Sequence, residues 1–338
     1  MIKTVVWGLG AMGAGMAKLV AGKPGYKLVG AIDLRQEMTG VELSEINDIG
    51  EPGAGIKISR DGEKVLAETK PDITLLATNS FVDAIFPDLQ LVLTHGSNCI
   101  TLAEEMAYPW HSHPEQAALL NDLAVKNEAT LLGTGVNPGF VLDTLILLLS
   151  GVCSQVDRIH AARINDLSEF GPTVMRTQGV GTTLREFQEG ITKGDIVGHV
   201  GFRQSIDMMS DALGWALDEI IEERLPIVSD IRRETAYAIV EPGDVAGCNH
   251  VAKGMLHGKE VIRLEHPQQV RADLAKVQTG DHIKIFGKPD INLTISPEIP
   301  GGLATMNLAV NMMSSAMSGK HGLRTMLDFP LPHFNRMT

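Results

Sequence analysis

Three glycines near the start of the chain have the spacing of a dinucleotide-binding loop. Gly8, Gly10 and Gly13 follow the apolar run 2–7 and precede a predicted helix at 14–19. In such loops the first glycine permits a tight turn, the second lets a pyrophosphate approach the backbone, and the third lets the helix pack on the strand. The sequence predicts a nicotinamide or flavin dinucleotide site, the alternative being a purely structural turn.

An acidic residue follows at the distance expected for a ribose contact. Asp33 comes about 20 residues after the last glycine, where an acid bonds the adenosine ribose hydroxyls. Arg35 lies two residues further on and could pair with a 2′-phosphate, so we expect use of both NAD and NADP with some preference for NAD. Ala11 and Met12, inside the glycine loop, are expected to contact the same cofactor.

Another set of candidate cofactor contacts lies at the end of a predicted strand at 72–78. Ala77, Thr78 and Asn79 should lie near the ribose and nicotinamide, because ligands of open parallel sheets bind beyond the carboxyl ends of the strands. Asn79 has an equally good alternative role as a helix cap.

The surrounding elements alternate between strand and helix, which predicts an α/β fold with an N-terminal Rossmann-type, doubly wound parallel sheet over residues 1–140. Its expected strands are 27–32, 56–58, 72–78, 98–103 and 130–134, and its helices 62–69, 81–95 and 114–127. Residues 141–300 predict an α+β substrate and dimerisation domain with a largely antiparallel sheet, and 301–338 a C-terminal helix that returns to the first domain. In this second domain we expect strands at 156–165, 227–231, 235–239, 259–265 and 281–286, a buried helix at 143–149, a second helix at 206–223, and a loop with some helix at 168–201.

Composition excludes several classes of partner. The formal net charge of -12 argues against nucleic acid and anionic membranes, which bind basic surfaces. No apolar run has the length of a membrane span, and the opening strand leaves no room for a signal peptide. The three separated cysteines favour a reducing cytoplasm. His111 and His113 lack further ligands at metal-binding spacing, so no metal site is expected.

Five sequence pieces together resemble one enzyme family over most of the chain: WGLGAMGAGMA, TLAEEM, GTGVNPGF, ARIND and RLEHP. In this order and spacing they resemble the 2,4-diaminopentanoate dehydrogenases, a family that includes native amine dehydrogenases and is distantly related to dihydrodipicolinate reductase. The resemblance implies NAD(P)-dependent oxidative deamination of 2,4-diaminopentanoate at C4 to 2-amino-4-oxopentanoate and ammonia, as a step of ornithine degradation. It also implies a homodimer, and leaves open reductive amination of simpler ketones.

Within this family motif, Glu104 is the expected catalytic residue. Amine oxidation needs hydride removal and then attack of water on an iminium ion, so a carboxylate can both activate the water and stabilise the cation. Glu105 is the rival. In an extended segment the two side chains would point to opposite faces, so only one of them could serve.

Three polar residues of the second domain are expected to bind the carboxylate end of the substrate. Arg163 and Asn165 lie two apart on one predicted strand and therefore share a face. A guanidinium can bind a carboxylate with two hydrogen bonds. His266 ends another strand and could complete this anion site, or it could be a structural histidine.

Further candidates for substrate contact lie outside these strands. Asn137 is either a turn former before Pro138 or, as the resemblance implies, a partner of the substrate or of the nicotinamide amide. Phe140 in the same motif is also expected at the substrate. Thr305 could donate to the substrate or cap the last helix.

Other functions fit the sequence less well. The His-His-Lys constellation of dihydrodipicolinate reductases is missing, which disfavours ring-imine reduction. Cys99 and Cys153 belong to apolar segments, which disfavours acyl transfer through a thiol. A non-catalytic dinucleotide sensor would need the glycine loop but would have little use for Glu104, Arg163 and His266.

Overall fold

The computed structural model describes residues 1–334, which fold into two compact units. One unit is Val141–Ile299, and the other contains residues 1–140 together with the described residues from Pro300 onward. Within the described part of the chain, no helix combines the length and the apolar character that a membrane span requires.

Residues 1–334 form the following strands and helices. The strands are β1 (Ile2–Trp7), β2 (Tyr26–Ile32), β3 (Ile73–Leu76), β4 (Asn98–Thr101), β5 (Thr130–Gly133), β6 (Gln155–Asp166), β7 (Glu219–Val228), β8 (Arg233–Glu234), β9 (Ile239–Val240), β10 (Val245–Leu256), β11 (Lys259–Gln269), β12 (Gly280–Lys288), β13 (Ile291–Ile295) and β14 (Gly322–Arg324). The helices are α1 (Ala11–Ala21), α2 (Gly62–Thr69), α3 (Val82–Thr94), α4 (Pro114–Lys126), α5 (Thr144–Ser150), α6 (Pro172–Thr177), α7 (Leu184–Lys193), α8 (Phe202–Leu213) and α9 (Gly301–Ser318).

The first unit is built on a parallel sheet with the strand order β14-β5-β4-β3-β1-β2. The chain moves outward from β1 to β2 and then returns to β3 on the other side of β1, so the direction of winding reverses beside β1. Apolar side chains from both faces of this sheet form two buried cores. The predicted Rossmann-type sheet is confirmed.

Two glycines let helices approach closely at one end of this sheet. A Cβ atom on Gly13 would collide with the carbonyl oxygen of Gly8, so α1 can start against the loop only because this position is glycine. A Cβ atom on Gly15 would collide with the sulfur of Met306 in α9. Helix α9 therefore packs on α1, and both helices cover the same core.

The second unit contains a sheet with the strand order β13-β12-β6-β11-β10-β7. All neighbouring strands are antiparallel except β6 and β11, which run parallel. This confirms the predicted α+β unit with a largely antiparallel sheet. A tight pair of two-residue strands, β8 and β9, stands apart from it.

The boundary between α8 and β7 differs from the sequence-based expectation. The helix expected over 206–223 ends at Leu213, where Gly214 adopts a left-handed conformation with φ of 71° and closes the last turn. Residues 219–228 then form β7 instead of continuing the helix, and the strand expected at 227–231 overlaps only its last two residues.

Smaller differences follow from tertiary context. Residues 56–58 form no strand and make only an isolated bridge, and 235–239 is mostly the turn between β8 and β9. Helix α5 exists as expected, but Ile146 is its only fully buried residue. The sequence did not predict strand β10, which lies between β7 and β11 in the sheet.

Candidate functional site

The glycine loop has the geometry that a dinucleotide phosphate needs. Gly8 has φ of +88°, which only glycine adopts readily, and Gly10 caps the start of α1 without any side-chain cap. A Cβ on Gly10 would meet no protein atom within 4 Å. The first turn of α1 also contains no acidic side chain. Its N–H groups can therefore bind an anion, and the loop residues Ala11 and Met12 lie in this turn.

Asp33 follows β2 and is 5 % exposed. One of its carboxylate oxygens accepts from the Leu9 N–H at 2.7 Å and from Arg35 Nη2 at 2.9 Å. The other accepts from the Arg35 backbone N–H and from Arg35 Nε, both at 2.9 Å. Burial raises the pKa of Asp33, but these hydrogen bonds outweigh it and hold the pKa below its ordinary value. Asp33 therefore remains a carboxylate that fixes the glycine loop.

The residues after β3 meet the glycine loop. The Ala77 N–H donates to the carbonyl of Trp7 at 2.8 Å, and the Thr78 methyl group lies 3.0 Å from where a Cβ on Gly8 would be. Asn79 Oδ1 accepts from the Phe81 N–H at 3.1 Å, so Asn79 stabilises the turn before α3. The structure thus brings Ala77 and Thr78 to the loop. Asn79 is not the helix cap considered as its alternative, because the N-cap of α3 is Phe81 and Asn79 bonds only the backbone of the turn before the helix.

Glu104 and Glu105 begin a 3-10 turn, Glu104–Ala107, and not the extended segment that was expected. Burial raises the pKa of the Glu104 carboxyl, while a hydrogen bond from the Ser80 side chain lowers it and the nearby Glu105 charge raises it further. Glu105 Oε2 instead accepts from the Val82 N–H at 2.7 Å. The two acids are therefore distinguished by their partners.

Thr305 lies near the start of α9, as its fifth residue. Its hydroxyl oxygen accepts from the Val136 N–H at 3.0 Å, which joins α9 to the segment after β5. The Thr305 hydroxyl proton is not used in that bond. Asn137 and Phe140 follow in the same segment and are half-buried.

In the second unit, Asn165 and His266 are brought into direct contact. Asn165 Oδ1 lies 2.7 Å from His266 Nε2, so Nε2 carries the proton and donates it. His266 is 5 % exposed, and its Nδ1 has no hydrogen-bond partner among the described residues. Burial, followed by the nearby His199 and Arg163, holds the pKa of His266 well below its ordinary value. His266 is therefore neutral, with an unused acceptor at Nδ1.

Arg163 has partners inside its own unit. It is 1 % exposed, its Nη1 donates to Asp281 at 2.7 Å, and its Nη2 donates to the carbonyl of Ile299. Burial lowers the pKa of Arg163, whereas the charge of Asp281 raises it. The guanidinium is thus in a buried ion pair and not beside the Asn165 amide on a free strand face.

Two aromatic rings, those of His199 and Phe202, lie beside His266, and no spacing pattern in the sequence predicts them. His199 stacks edge-on against His266 with ring centroids 4.9 Å apart, and Phe202 packs at 4.9 Å against both His199 and His250. His250 Nδ1 accepts from the His199 N–H at 3.0 Å, and its Nε2 contacts Glu222 at 3.1 Å. These contacts fix the position of the ring that covers His266.

Metal and thiol chemistry have no support in this part of the chain. Among residues 1–334, no three His, Cys, Asp or Glu side chains are arranged to hold a metal ion. All three cysteines are free, and burial raises the pKa of Cys99 and that of Cys248, the latter to about 12. A thiol with a raised pKa is a poor nucleophile.

Comparison with known proteins gives consistent matches. Residues 140–337 match the family model for the 2,4-diaminopentanoate dehydrogenase C-terminal domain. The chain is 40 % identical to a 2,4-diaminopentanoate dehydrogenase of Acetoanaerobium sticklandii, over 98 % of this chain and 94 % of that protein. It is 27 % identical to an amine dehydrogenase of Streptomyces virginiae, over 98 % and 97 %. The solved amine dehydrogenase from Mycobacterium smegmatis superposes with a TM-score of 0.87 at 27 % identity, covering 100 % of this chain and 98 % of that one.

Proposed function

The chain belongs to the 2,4-diaminopentanoate dehydrogenase family, and we propose that it oxidatively deaminates 2,4-diaminopentanoate at C4 with NAD or NADP. The products would be 2-amino-4-oxopentanoate, ammonia and the reduced cofactor. The observation that carries the proposal is Glu104, a carboxyl with a raised pKa that follows β4 in the parallel sheet whose β1 leads into the glycine loop. Ligands of such sheets bind beyond the carboxyl ends of the strands.

The residues of the first unit fit a dinucleotide. Gly8, Gly10 and Gly13 would hold the pyrophosphate at the start of α1, and Asp33 or Arg35 would contact the adenosine ribose. Ala77 and Thr78 would lie along the ribose and nicotinamide. The cofactor, when bound, supplies the acceptor for the hydride that leaves C4.

Glu104 would act on the remaining steps. Once hydride has left C4, the nitrogen bears a positive charge as an iminium ion, and a carboxylate stabilises it. Water then attacks C4, Glu104 takes a proton from that water, and the resulting carbinolamine expels ammonia to leave the C4 ketone. A raised pKa suits a group that must first be a carboxylate and then carry the proton taken from water.

The second unit would recognise the amino-acid end of the substrate. The unused Nδ1 of neutral His266 can accept a hydrogen bond from the C2 ammonium, and the Asn165 NH2 group can donate to the carboxylate. Because Arg163 is already paired with Asp281, we propose that it positions β6 and orients these neighbours instead of gripping the carboxylate itself. We also propose Asn137, Phe140 and Thr305 as substrate-binding residues.

A cofactor-reduction assay tests the proposal directly. The purified protein is mixed with NAD or NADP and a panel of diamino acids, amino acids, hydroxy acids and aldehydes. We expect reduction with 2,4-diaminopentanoate and stoichiometric release of ammonia, with ketones and ammonia giving the reverse reaction. Turnover of a hydroxy acid or an aldehyde in place of the diamino acid would overturn it.

The cellular setting belongs to the same proposal. An enzyme of this activity would act in the breakdown of ornithine, in the cytoplasm and as a homodimer. The three free cysteines support a reducing compartment. Size measurement in solution tests the dimer.

A further inference from the structure

Two turns at the carboxyl edge of the parallel sheet are joined by hydrogen bonds of Glu105, the residue next to Glu104. Strands β3 and β4 are neighbours, so the turn after β3 and the 3-10 turn after β4 lie side by side. The Glu105 N–H donates to the carbonyl of Ser80 at 3.2 Å, and the Val82 N–H donates to Glu105 Oε2 at 2.7 Å. The Ser80 side chain in turn bonds the Glu104 carboxyl.

Two partners, the Val82 N–H and His113, contact the Glu105 carboxylate. Val82 is the first residue of α3, whose N-cap, Phe81, makes no side-chain cap, so Glu105 provides that cap from another element. His113 Nε2 lies 3.5 Å from the same Oε2 atom. Held in this way, the Glu105 side chain is not available for the role proposed for Glu104.

We infer that Ser80 and Glu105 are positioning residues for the Glu104 carboxylate, one holding it by a hydrogen bond and the other fixing the turn that carries it. This inference rests on the proposed function. The two residues have opposite effects on the charged form of Glu104. Ser80 stabilises it by donating a hydrogen bond, whereas Glu105 destabilises it by placing a second negative charge beside it.

Ser80 and Glu105 therefore shift the pKa of Glu104 in opposite directions. Of the groups that act on Glu104, the Ser80 hydrogen bond and a backbone hydrogen bond favour the carboxylate, while burial and the Glu105 charge disfavour it. His113 contacts Glu105 at 3.5 Å. Loss of the Ser80 hydroxyl should therefore raise the pKa of Glu104, and loss of the Glu105 charge should lower it.

The test measures the pH dependence of kcat for Ser80→Ala and Glu105→Gln. Glutamine retains an oxygen that can accept from Val82, so this variant removes the charge and keeps the helix cap. The acidic limb of the profile should move to higher pH in Ser80→Ala and to lower pH in Glu105→Gln, each by about 0.5–1 unit. Asp83→Asn, in the same first turn of α3 but bonded to Gln116, is the charge control and should leave the limb in place.

Two further measurements keep the outcome decisive. KM for the cofactor should stay within twofold in both variants, and the infrared carboxyl band of Glu104, assigned by its loss in Glu104→Gln, should titrate with the same shifts without turnover. If both variants melt at lower temperature but neither the acidic limb of the pH profile nor the infrared band moves, Ser80 and Glu105 have only structural roles and the inference is overturned. Full activity of Glu104→Gln would instead refute the proposed base itself.

Discussion

Arg35 should decide how well the enzyme discriminates between NAD and NADP. A carboxylate has about four lone-pair sites, and Asp33 uses all four: one for the Leu9 N–H and three for donors of Arg35. A ribose 2′-hydroxyl can therefore donate to Asp33 only after the Arg35 side chain has moved. The same side chain, once moved, could bind a 2′-phosphate.

The exposure of the Arg35 side chain sets the expected changes in cofactor affinity. The Arg35 side chain is 48 % exposed, so its pairing with Asp33 is worth only about 0.2–1 kcal/mol. Arg35→Ala should thus tighten NADH binding by no more than about fivefold. Loss of a charged hydrogen bond to the 2′-phosphate costs about 1.5–3 kcal/mol, which weakens NADPH binding by about 10- to 100-fold. The affinity ratio should shift towards NAD by about 10- to 500-fold.

Fluorescence titration of NADH and NADPH measures both dissociation constants. Lys64→Ala, which removes an exposed cation from α2, is the matched control for net charge and should change neither constant. Asp33→Asn keeps an acceptor for the Leu9 N–H and should weaken NADH more than NADPH. Equal changes for the two cofactors in Arg35→Ala would refute the reasoning.

Three other perturbations address the proposed reaction. Glu104→Gln should lower kcat by about 100-fold or more with little change in cofactor affinity, and a larger loss in Glu105→Gln would mean that the neighbouring acid is the base. Arg163→Ala leaves Asp281 buried without its partner, so the free energy of unfolding should fall by about 3–5 kcal/mol in denaturant titration. Turnover of diaminopentanoate and turnover of a carboxylate-free amine should fall together. A selective loss of turnover with diaminopentanoate would show instead that Arg163 holds the carboxylate. His266 has a lowered pKa in the folded state, so the unfolded chain takes up its proton first as the pH falls below about 6.5, and stability declines from there towards the folded pKa. His266→Gln should remove about 1.4 kcal/mol per pH unit of that slope between pH 6 and 5, and an unchanged slope would contradict a neutral buried histidine.

Local patterns made the first unit predictable. The glycine spacing, the β-branched strands and the alternation of elements all depend on neighbours within a few residues, and the parallel sheet followed from them. The second unit was harder, because the run after Leu213 suits a helix or a half-buried strand equally well, and Gly214 ends the helix. Two glycines and Lys253 interrupt the apolar pattern of β10, which is a strand because β7 and β11 pair with it on both sides.

The proposed site shows the same division between local and distant information. The sequence singled out Glu104 by its motif, but what distinguishes it from Glu105 is Ser80 and Val82, more than 20 residues earlier, and a 3-10 turn that no spacing rule indicates. Arg163 presents the opposite problem. A cation on a strand looks the same in sequence whether its partner is a substrate carboxylate or Asp281, 118 residues away. A buried guanidinium must be paired in either case, so only the identity of its tertiary partner shows whether Arg163 recognises substrate or positions its own strand. For His266, the unused acceptor at Nδ1 is the observation that points to a ligand.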